Sequence, residues 1–272
     1  MGRIADCFAA LRRRGEAALV PYIMAGDPDL DVTRALVRAA ADAGADLIEL
    51  GVPFSDPTAD GPVIQRAGVR ALQRGTSLRQ ILELVAELRR GGLATPIVLF
   101  GYYNPIFHYG PARLAADAAR AGVDALLVVD LPPEEADELW KPARAAGLDV
   151  IFLLAPTSDE RRVRAVLRKA SGFVYFVSMT GITGTQAIDA AEVRRMVEDL
   201  RGQCRLPIGV GFGITTPAEA AAVASYADAV VVGSAIVRLI EAKGSASELV
   251  SEVGAFIGAL KDATRHRAGA AA

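Results

Sequence analysis

The stretch AGADLIEL at residues 43–50 contains the end of one structural element and the beginning of the next. An amphipathic, alanine-rich segment ends at Gly44, and glycine is the residue type that most often terminates a helix. The run that follows, from Asp46 to Leu50, is almost continuously apolar. The stretch AGVDALLVV at residues 121–129 repeats this arrangement. Each stretch therefore predicts a helix that turns through glycine into a buried strand.

Eight apolar runs of this kind are spread along the chain, and amphipathic segments separate them. Such runs are typical of parallel strands that are covered on both faces. We predict strands at Ala18–Met24, Asp46–Leu50, Ile97–Phe100, Ala125–Val129, Asp149–Leu154, Phe173–Val177, Ile208–Val210 and Ala229–Val232. Eight strand–helix units without a break in composition favour an α/β fold of the (β/α)8 TIM barrel type, although the pattern alone leaves a doubly wound sheet open. We expect residues 1–272 to form a single domain.

Helices are predicted in the segments between these strands. They span Asp29–Ala43, Ser77–Arg90, Pro111–Ala121, Glu134–Ala146, Asp159–Lys169, Asp189–Arg201 and Pro217–Ala224. A further amphipathic segment, Arg3–Arg14, precedes the first strand, and we expect it to cover the floor of the barrel as an extra N-terminal helix. Residues 265–272 are expected to form a disordered tail.

The composition excludes several classes of function. With 272 residues, a net charge of -2 and a pI near 5.8, the chain lacks the basic surface that nucleic-acid binding requires. Its two cysteines lie far apart and match no metal-binding spacing. The N-terminus does not resemble a signal peptide, and no apolar run reaches the roughly 18 residues that a membrane span needs. We therefore expect a cytoplasmic protein that binds neither nucleic acid nor membrane.

The second predicted strand carries an acidic residue within its apolar run. Glu49 lies between Ile48 and Leu50, so its carboxyl group either faces the mouth of the barrel or is buried at a high cost in free energy. Burial raises the pKa of a carboxyl group and suits it to proton transfer near neutral pH, whereas a structural carboxylate bonded to backbone or arginine is the alternative. Asp56 and Asp60 follow on the next loop, where each alone is more often a solvated or capping residue.

Three glycine-containing stretches follow the sixth, seventh and eighth predicted strands. They are TGITG at residues 180–184, GVGFG at 209–213 and GSAI at 233–236. Glycine lets backbone N–H groups approach an anion, and the last stretch also begins a helix, whose N-terminus favours phosphate. Loops after the seventh and eighth strands, together with a short extra helix, are the recurrent phosphate site of such barrels. The sequence therefore predicts a phosphorylated ligand.

Residue types that would support other mechanisms are missing from the strand ends. All four lysines lie in helical segments, so a Schiff-base aldolase mechanism has no nucleophile. His108 and His266 are too scattered for a catalytic zinc site, and no metal is expected. No dinucleotide-binding fingerprint follows the first strand. Acid–base chemistry by carboxyl groups on a small phosphorylated molecule remains.

The sequence resembles the tryptophan synthase α-chain family over nearly its whole length. The segment ELGVPFSDP at residues 49–57, followed by DGP at 60–62, is similar to the family's signature. Shorter similar segments are GDP at 26–28, YYNP at 102–105, VDLP at 129–132, GITG at 181–184 and GFGI at 211–214. The resemblance implies a lyase of L-tryptophan biosynthesis that performs the retro-aldol cleavage of 1-C-(indol-3-yl)glycerol 3-phosphate to indole and D-glyceraldehyde 3-phosphate.

The resemblance also implies roles for individual residues. Glu49 is expected to move a proton between the substrate hydroxyl group and indole C3, and Asp60 is expected to accept a hydrogen bond from the indole N–H. Tyr175 is expected to assist near Glu49, although a tyrosine that merely packs at the barrel rim is the alternative. Phosphate is expected at Gly184, Gly213, Gly233 and Ser234. The walls of the indole pocket are expected to be Tyr22, Ile64, Phe100, Leu127, Thr183, Phe212 and Val231.

The family acts as an α2β2 complex whose β subunit binds pyridoxal phosphate and receives indole through a tunnel. No cofactor is therefore expected in this chain itself. Pro53, Asp56 and Asp130 lie on loops that the resemblance places at the partner interface. Two other interpretations remain. One is a different phosphate-binding barrel enzyme, such as indole-glycerol phosphate synthase, and the other is a non-catalytic phosphate-binding barrel that only activates a β-type partner.

Overall fold

A barrel of parallel strands organises the chain, for which the computed structural model describes residues 2–177, 190–211, 213–244 and 247–265. Eight strands follow one another around the barrel in sequence order, and β8 closes the ring by pairing with β1. Their bounds are β1 Ala18–Met24, β2 Ile48–Gly51, β3 Ile97–Gly101, β4 Ala125–Val128, β5 Asp149–Leu154, β6 Val174–Val177, β7 Ile208–Gly211 and β8 Ala229–Val232. The prediction of a (β/α)8 barrel is confirmed, and the doubly wound sheet is excluded.

Helices cover the outside of this barrel. Within the described residues they are α1 Arg3–Arg14, α2 Leu30–Asp42, α3 Pro62–Gln73, α4 Leu78–Arg90, α5 Tyr103–Tyr109, α6 Pro111–Ala121, α7 Asp137–Ala145, α8 Glu160–Lys169, α9 Ala190–Arg201, α10 Pro217–Ala224, α11 Ser234–Lys243 and α12 Leu249–Thr264. In α4, a capping box between Ser77 and Gln80 satisfies the first N–H groups, and leucines at helical spacing are buried. Helices long and apolar enough to cross a membrane do not occur in the described part of the chain.

The sequence patterns do not predict α3, α5 or α12. The buried face of α3 consists of Ala67, Gly68 and Ala71, which leave little apolar periodicity to recognise. No helix is predicted over the α5 segment, and as a helix it buries a single residue, Ile106. Arg265 forms the C-cap of α12, and residues 266–272 of the predicted tail lie outside the described residues, so the tail stays a prediction.

The interior of the barrel is a separate apolar layer that α1 closes from below. Alternate strand residues face inward, and Val20, Leu47 and Leu127 belong to one buried cluster there. Phe8 of α1 joins this cluster, with its ring centroid 5.9 Å from that of Phe173. The N-terminal helix therefore covers the barrel floor, as predicted, and the C-terminal ends of the strands are left for a site.

Charged residues also hold the floor of the barrel. Asp124, just before β4, accepts a hydrogen bond from Arg3 of α1 over 2.9 Å. Asp46, just before β2, lies 2.8 Å from the Nζ atom of the buried Lys261. These ion pairs lie at the N-terminal ends of the strands. The buried lysine is therefore a structural group on the side opposite to the one where such barrels carry their chemistry.

Candidate active site

Glu49 lies in β2 with its side chain inside the barrel. Residues two apart in a strand face the same side, and Leu47 belongs to the interior cluster. The register of β1, β2 and β3 places Tyr22 and Val98 beside Glu49. The carboxyl group therefore enters the interior near the C-terminal end of its strand, where barrels of this type carry their catalytic groups.

The carboxyl group of Glu49 is buried in an apolar environment. Only 1% of the residue is exposed, and its Oε1 atom has no hydrogen-bond partner in the described part of the chain. Burial raises the pKa of Glu49 from 4.5 to about 8 because the charged form loses its solvation without compensation. A structural carboxylate would be bonded to backbone or arginine, so this alternative does not fit. At neutral pH the free protein holds Glu49 protonated.

Asp60 lies half-buried in the loop between β2 and α3. The side-chain amide of Gln65 donates to the carbonyl oxygen of Asp60 over 2.9 Å, and the N–H of Ala59 donates to the hydroxyl oxygen of Tyr102 over 3.0 Å. Burial raises the pKa of Asp60 to about 6, and a hydrogen bond from the Tyr102 hydroxyl opposes that rise. Asp60 is therefore ionised at pH 7, whereas Glu49 is neutral.

Two buried tyrosines share the barrel interior with Glu49. Burial raises the pKa of Tyr22 and of Tyr175, and the charge of Glu49 adds to the rise in both. A Cβ atom at Gly51 would overlap the hydroxyl group of Tyr22, and one at Gly211 would overlap that of Tyr175. Both strands therefore need glycine where the tyrosine rings pass. The tyrosines stay neutral at physiological pH and can act as hydrogen-bond donors.

A cavity of about 340 Å³ joins these groups at the mouth of the barrel. It is lined by Tyr22, Glu49, Ala59, Asp60, Gly61, Pro62, Val63, Ile64, Phe100, Tyr175, Gly213, Ile214, Val231, Gly233, Ser234 and Arg238. The rings of Tyr22 and Phe100 meet edge to face, with centroids 5.2 Å apart. Together with the aliphatic side chains, they form a wall that suits a flat aromatic ligand.

The N-terminus of α11 forms another part of the cavity wall. Gly233 is the N-cap of this helix and Ser234 its first residue, and none of the described side chains caps it. The first N–H groups of α11 are therefore free to bind an anion, which the helix dipole also favours. Gly213, which follows β7, lines the same cavity. An aromatic wall, two carboxyl groups and an anion site thus meet in one cavity.

Residues 8–265 match the model of the tryptophan synthase alpha chain family. The chain is also 57% identical, over 261 residues, to the tryptophan synthase alpha chain of Geobacter sp. (strain M21), and the match covers 96% of this chain and 97% of that protein. This chain belongs to the tryptophan synthase alpha chain family. It is therefore a lyase of tryptophan biosynthesis.

Other members of the tryptophan synthase alpha chain family are also similar. The alpha chain of Gluconacetobacter diazotrophicus is 56% identical over 241 residues, which are 89% of this chain and 88% of that protein. The crystal structure of tryptophan synthase subunit alpha from Legionella pneumophila str. Paris matches with a TM-score of 0.91 and 38% identity, covering 97% of this chain and 98% of that chain. A chain of M. tuberculosis tryptophan synthase in its aminoacrylate-bound form matches with a TM-score of 0.87 and 34% identity, covering 97% of this chain and 100% of that chain.

In this member of the tryptophan synthase alpha chain family, most residues predicted for the site line one cavity. They are Glu49, Asp60, Tyr175, Tyr22, Ile64, Phe100, Val231, Gly213, Gly233 and Ser234. Leu127 does not line it, because its side chain is fully buried in the interior cluster; its register partner Phe100 lines the cavity. The predicted contacts at Thr183, Gly184 and Phe212 lie outside the described residues.

The residues predicted at the partner interface lie apart from the cavity lining. Asp130 accepts a hydrogen bond from the N–H of Tyr103 over 2.7 Å, which joins the segments after β3 and β4. Asp56 is exposed and accepts a hydrogen bond from the hydroxyl group of Ser55, whereas Pro53 is buried. Their contact with a β subunit stays a prediction.

Two residues of the candidate site were not predicted as site residues from the sequence. Tyr102 follows the last residue of β3, a place where barrels carry functional side chains, so its position was a usable signal. Arg238 lies inside α11, where its sequence context resembles that of any surface arginine. The sequence feature that could have identified Arg238 is its spacing of four residues from Ser234, which places both residues on one helix face.

Lysines that would support a different barrel enzyme are not among the residues that line this cavity. Lys141, Lys169, Lys243 and Lys261 lie in α7, α8, α11 and α12, and none of them lines the cavity. A Schiff-base aldolase, or another phosphate-binding barrel enzyme that needs a lysine at a strand end, therefore does not match the residues of this cavity. Across the described ranges, no group of three or more His, Cys, Asp or Glu side chains could hold a metal ion.

Proposed function

We propose that this chain catalyses the α reaction of tryptophan synthase, the retro-aldol cleavage of 1-C-(indol-3-yl)glycerol 3-phosphate to indole and D-glyceraldehyde 3-phosphate. The observation that carries the proposal is the buried carboxyl group of Glu49, whose Oε1 has no partner among the described residues, in a cavity that also contains Asp60 and the N-terminus of α11. Indole-glycerol phosphate carries an indole ring at one end, which would lie beside Phe100, and a phosphate at the other, which would bind at Ser234. Both binding surfaces belong to the same cavity.

The cleavage requires two proton movements around one carbon–carbon bond. Indole C3 gains a proton before its bond to the glycerol carbon breaks, and the hydroxyl group on that carbon loses its proton as the aldehyde forms. A protonated Glu49 can donate to C3 and then, as a carboxylate, accept the hydroxyl proton. Because the pKa of Glu49 is about 8, its carboxyl group is protonated at neutral pH and can donate this proton. Accepting the hydroxyl proton restores the acid form of Glu49, so the residue is unchanged at the end of the reaction, as a catalyst must be.

Asp60 is suited to a different task in the same reaction. Protonation of C3 places positive charge on the indole nitrogen, whose N–H then needs a strong acceptor. Asp60, with a pKa of about 6, is ionised at neutral pH and stabilises this cationic intermediate. The environments of Glu49 and Asp60 separate their pKa values, as a division of acid and acceptor roles requires. Tyr175 is proposed as an auxiliary hydrogen-bond donor near Glu49.

Membership of the family implies partnership with a tryptophan synthase β subunit. We expect an α2β2 complex in the cytoplasm, in which the β subunit holds pyridoxal phosphate and this chain needs no cofactor. Pro53 follows β2, and Asp130 follows β4, so both lie at the end of the barrel that carries Glu49. An interface there, including the exposed Asp56, would direct released indole toward the partner.

The proposal is tested by incubating the purified protein with indole-glycerol phosphate, with and without a β subunit, while indole release is followed. Glu49→Gln should lose about 100-fold or more of the activity, the size expected when a general acid–base group is removed. Glu83→Gln is the matched control, because Glu83 is an exposed acid of α4 and should leave the rate unchanged.

Each outcome of this assay separates the proposed roles. Absence of indole under both conditions would overturn the lyase function and favour a non-catalytic phosphate-binding barrel that only activates a β-type partner. Undiminished activity of Glu49→Gln would leave the lyase in place and remove the assignment of its proton carrier.

A further inference from the structure

α11 brings a cationic side chain to the cavity that contains the proposed phosphate site. Arg238 follows Ser234 by four residues in this helix and lines the same cavity. Residues four apart lie on one helix face, and side chains lean toward the N-terminus of their helix. Arg238 and Ser234 therefore border the cavity from the same face of α11, near the N–H groups at the beginning of this helix.

The charge of Arg238 is not compensated by any carboxylate in the described ranges. Arg66 and Arg70 of the neighbouring α3 are both paired: each binds Glu241, at 2.7 and 2.8 Å, and Arg70 also binds Asp27 at 2.7 Å. Arg238 is exposed and has neither a hydrogen bond nor an ion pair with another described residue. It therefore differs from these two arginines in having its charge available for a ligand.

The two carboxyl groups of the cavity, Glu49 and Asp60, do not compensate the charge of Arg238 either. Burial alone raises the pKa of Glu49, and burial together with the Tyr102 hydroxyl determines that of Asp60, whereas a nearby guanidinium group would lower both. A cation near the beginning of a helix is also opposed by the helix dipole. A bound anion at the N-terminus of α11 would remove that penalty.

We infer that Arg238 is a phosphate-binding residue of this site, whose guanidinium group contacts the substrate phosphate in addition to the backbone N–H groups of α11. The inference rests on the proposed function, since it requires a substrate that carries phosphate. Charge-assisted contacts between arginine and phosphate are strong, but solvent screens an exposed one. Loss of the charge should therefore weaken phosphate binding by about five- to tenfold.

The test compares Arg238→Gln, which removes the charge, with Arg238→Lys, which keeps it. Arg161→Gln is the matched control, because Arg161 is an exposed arginine of α8 outside the cavity lining. Two quantities are measured for each protein: KM and kcat for indole-glycerol phosphate, and the affinity for inorganic phosphate from a phosphorus NMR titration. The titration does not depend on turnover.

We expect Arg238→Gln to raise KM and weaken inorganic phosphate binding by the same factor, with kcat changed less than about twofold. Arg238→Lys should recover most of the loss, and Arg161→Gln should match the wild type. Phosphate affinity of Arg238→Gln equal to that of the wild type would overturn the inference, as would Arg238→Lys being as weak as Arg238→Gln. Failure of the wild type to release indole would overturn the proposed function instead, and the titration would still decide the role of Arg238.

Discussion

The free energy of unfolding of a Glu49→Gln variant should depend on pH differently from that of the wild type. In an unfolded chain the carboxyl group of Glu49 loses its proton near its ordinary pKa of 4.5, but in the folded protein it keeps the proton up to about pH 8. Because the folded state holds the extra proton, the wild type loses stability as pH rises through this interval. Glutamine has no titrating group and does not lose stability in this way.

The size of the effect follows from the two pKa values. Each pH unit between them costs the wild type about 1.4 kcal/mol, so the cost is about 1 kcal/mol at pH 5.5 and about 3 kcal/mol at pH 7. The stability of Glu49→Gln relative to the wild type should therefore increase by about 2 kcal/mol between these two pH values. Any packing difference between the two side chains that does not depend on pH cancels in this comparison.

Urea unfolding followed by circular dichroism measures both proteins at several pH values between about 5.5 and 8. Glu83→Gln serves as the control, since an exposed carboxyl group should leave the difference from the wild type constant with pH. A stability difference between Glu49→Gln and the wild type that does not change with pH would refute the reasoning. Glu49 would then be ionised in the folded protein, and the proposed proton donor would be absent at neutral pH.

Activity and stability measurements check further features of the site. The kcat/KM for indole release should fall below about pH 6, where Asp60 is protonated and no longer accepts the indole N–H. Tyr102→Phe removes the hydroxyl group that lowers this pKa, so the acidic limb of the pH profile should move to higher pH; an unmoved limb would contradict the contact. Arg70→Met should lower the free energy of unfolding by about 3 kcal/mol or more in urea, because it leaves the buried carboxylate of Asp27 unpaired. Arg66→Met breaks a more exposed ion pair that solvent screens, so it should cost clearly less than Arg70→Met, and equal losses in the two variants would refute this distinction.

The positions of the strands were predictable because the signal is local. The predicted strands Asp46–Leu50 and Ile97–Phe100 differ from β2 and β3 by at most two residues at either end. A parallel strand that is covered on both faces requires a continuous apolar run, which consecutive residues display. α3 lacks such a signal, because small residues form its buried face.

Glu49 was also predictable from its neighbours, since a carboxyl group within an apolar run is unusual wherever the strand is placed. Its pKa was not. The rise to about 8 depends on burial by surrounding residues from other elements, with no cation or hydrogen-bond donor among the causes. Asp60 gained a role from the sequence mainly through the family resemblance, whereas the structure shows what half-burial and the Tyr102 hydroxyl do to its pKa.

The sequence by itself thus determined where the strands lie along the chain, the acidic residue inside one of them and the glycines that follow the last three. Only the tertiary structure decided which side chains meet. The Tyr102 hydroxyl binds a backbone group 43 positions earlier, and Arg70 binds Glu241 across 171 positions. Backbone preferences arise between neighbouring residues, so they can be recognised in the sequence. Burial and charge compensation depend on groups that barrel closure brings together from distant positions, and no stretch of consecutive residues records them.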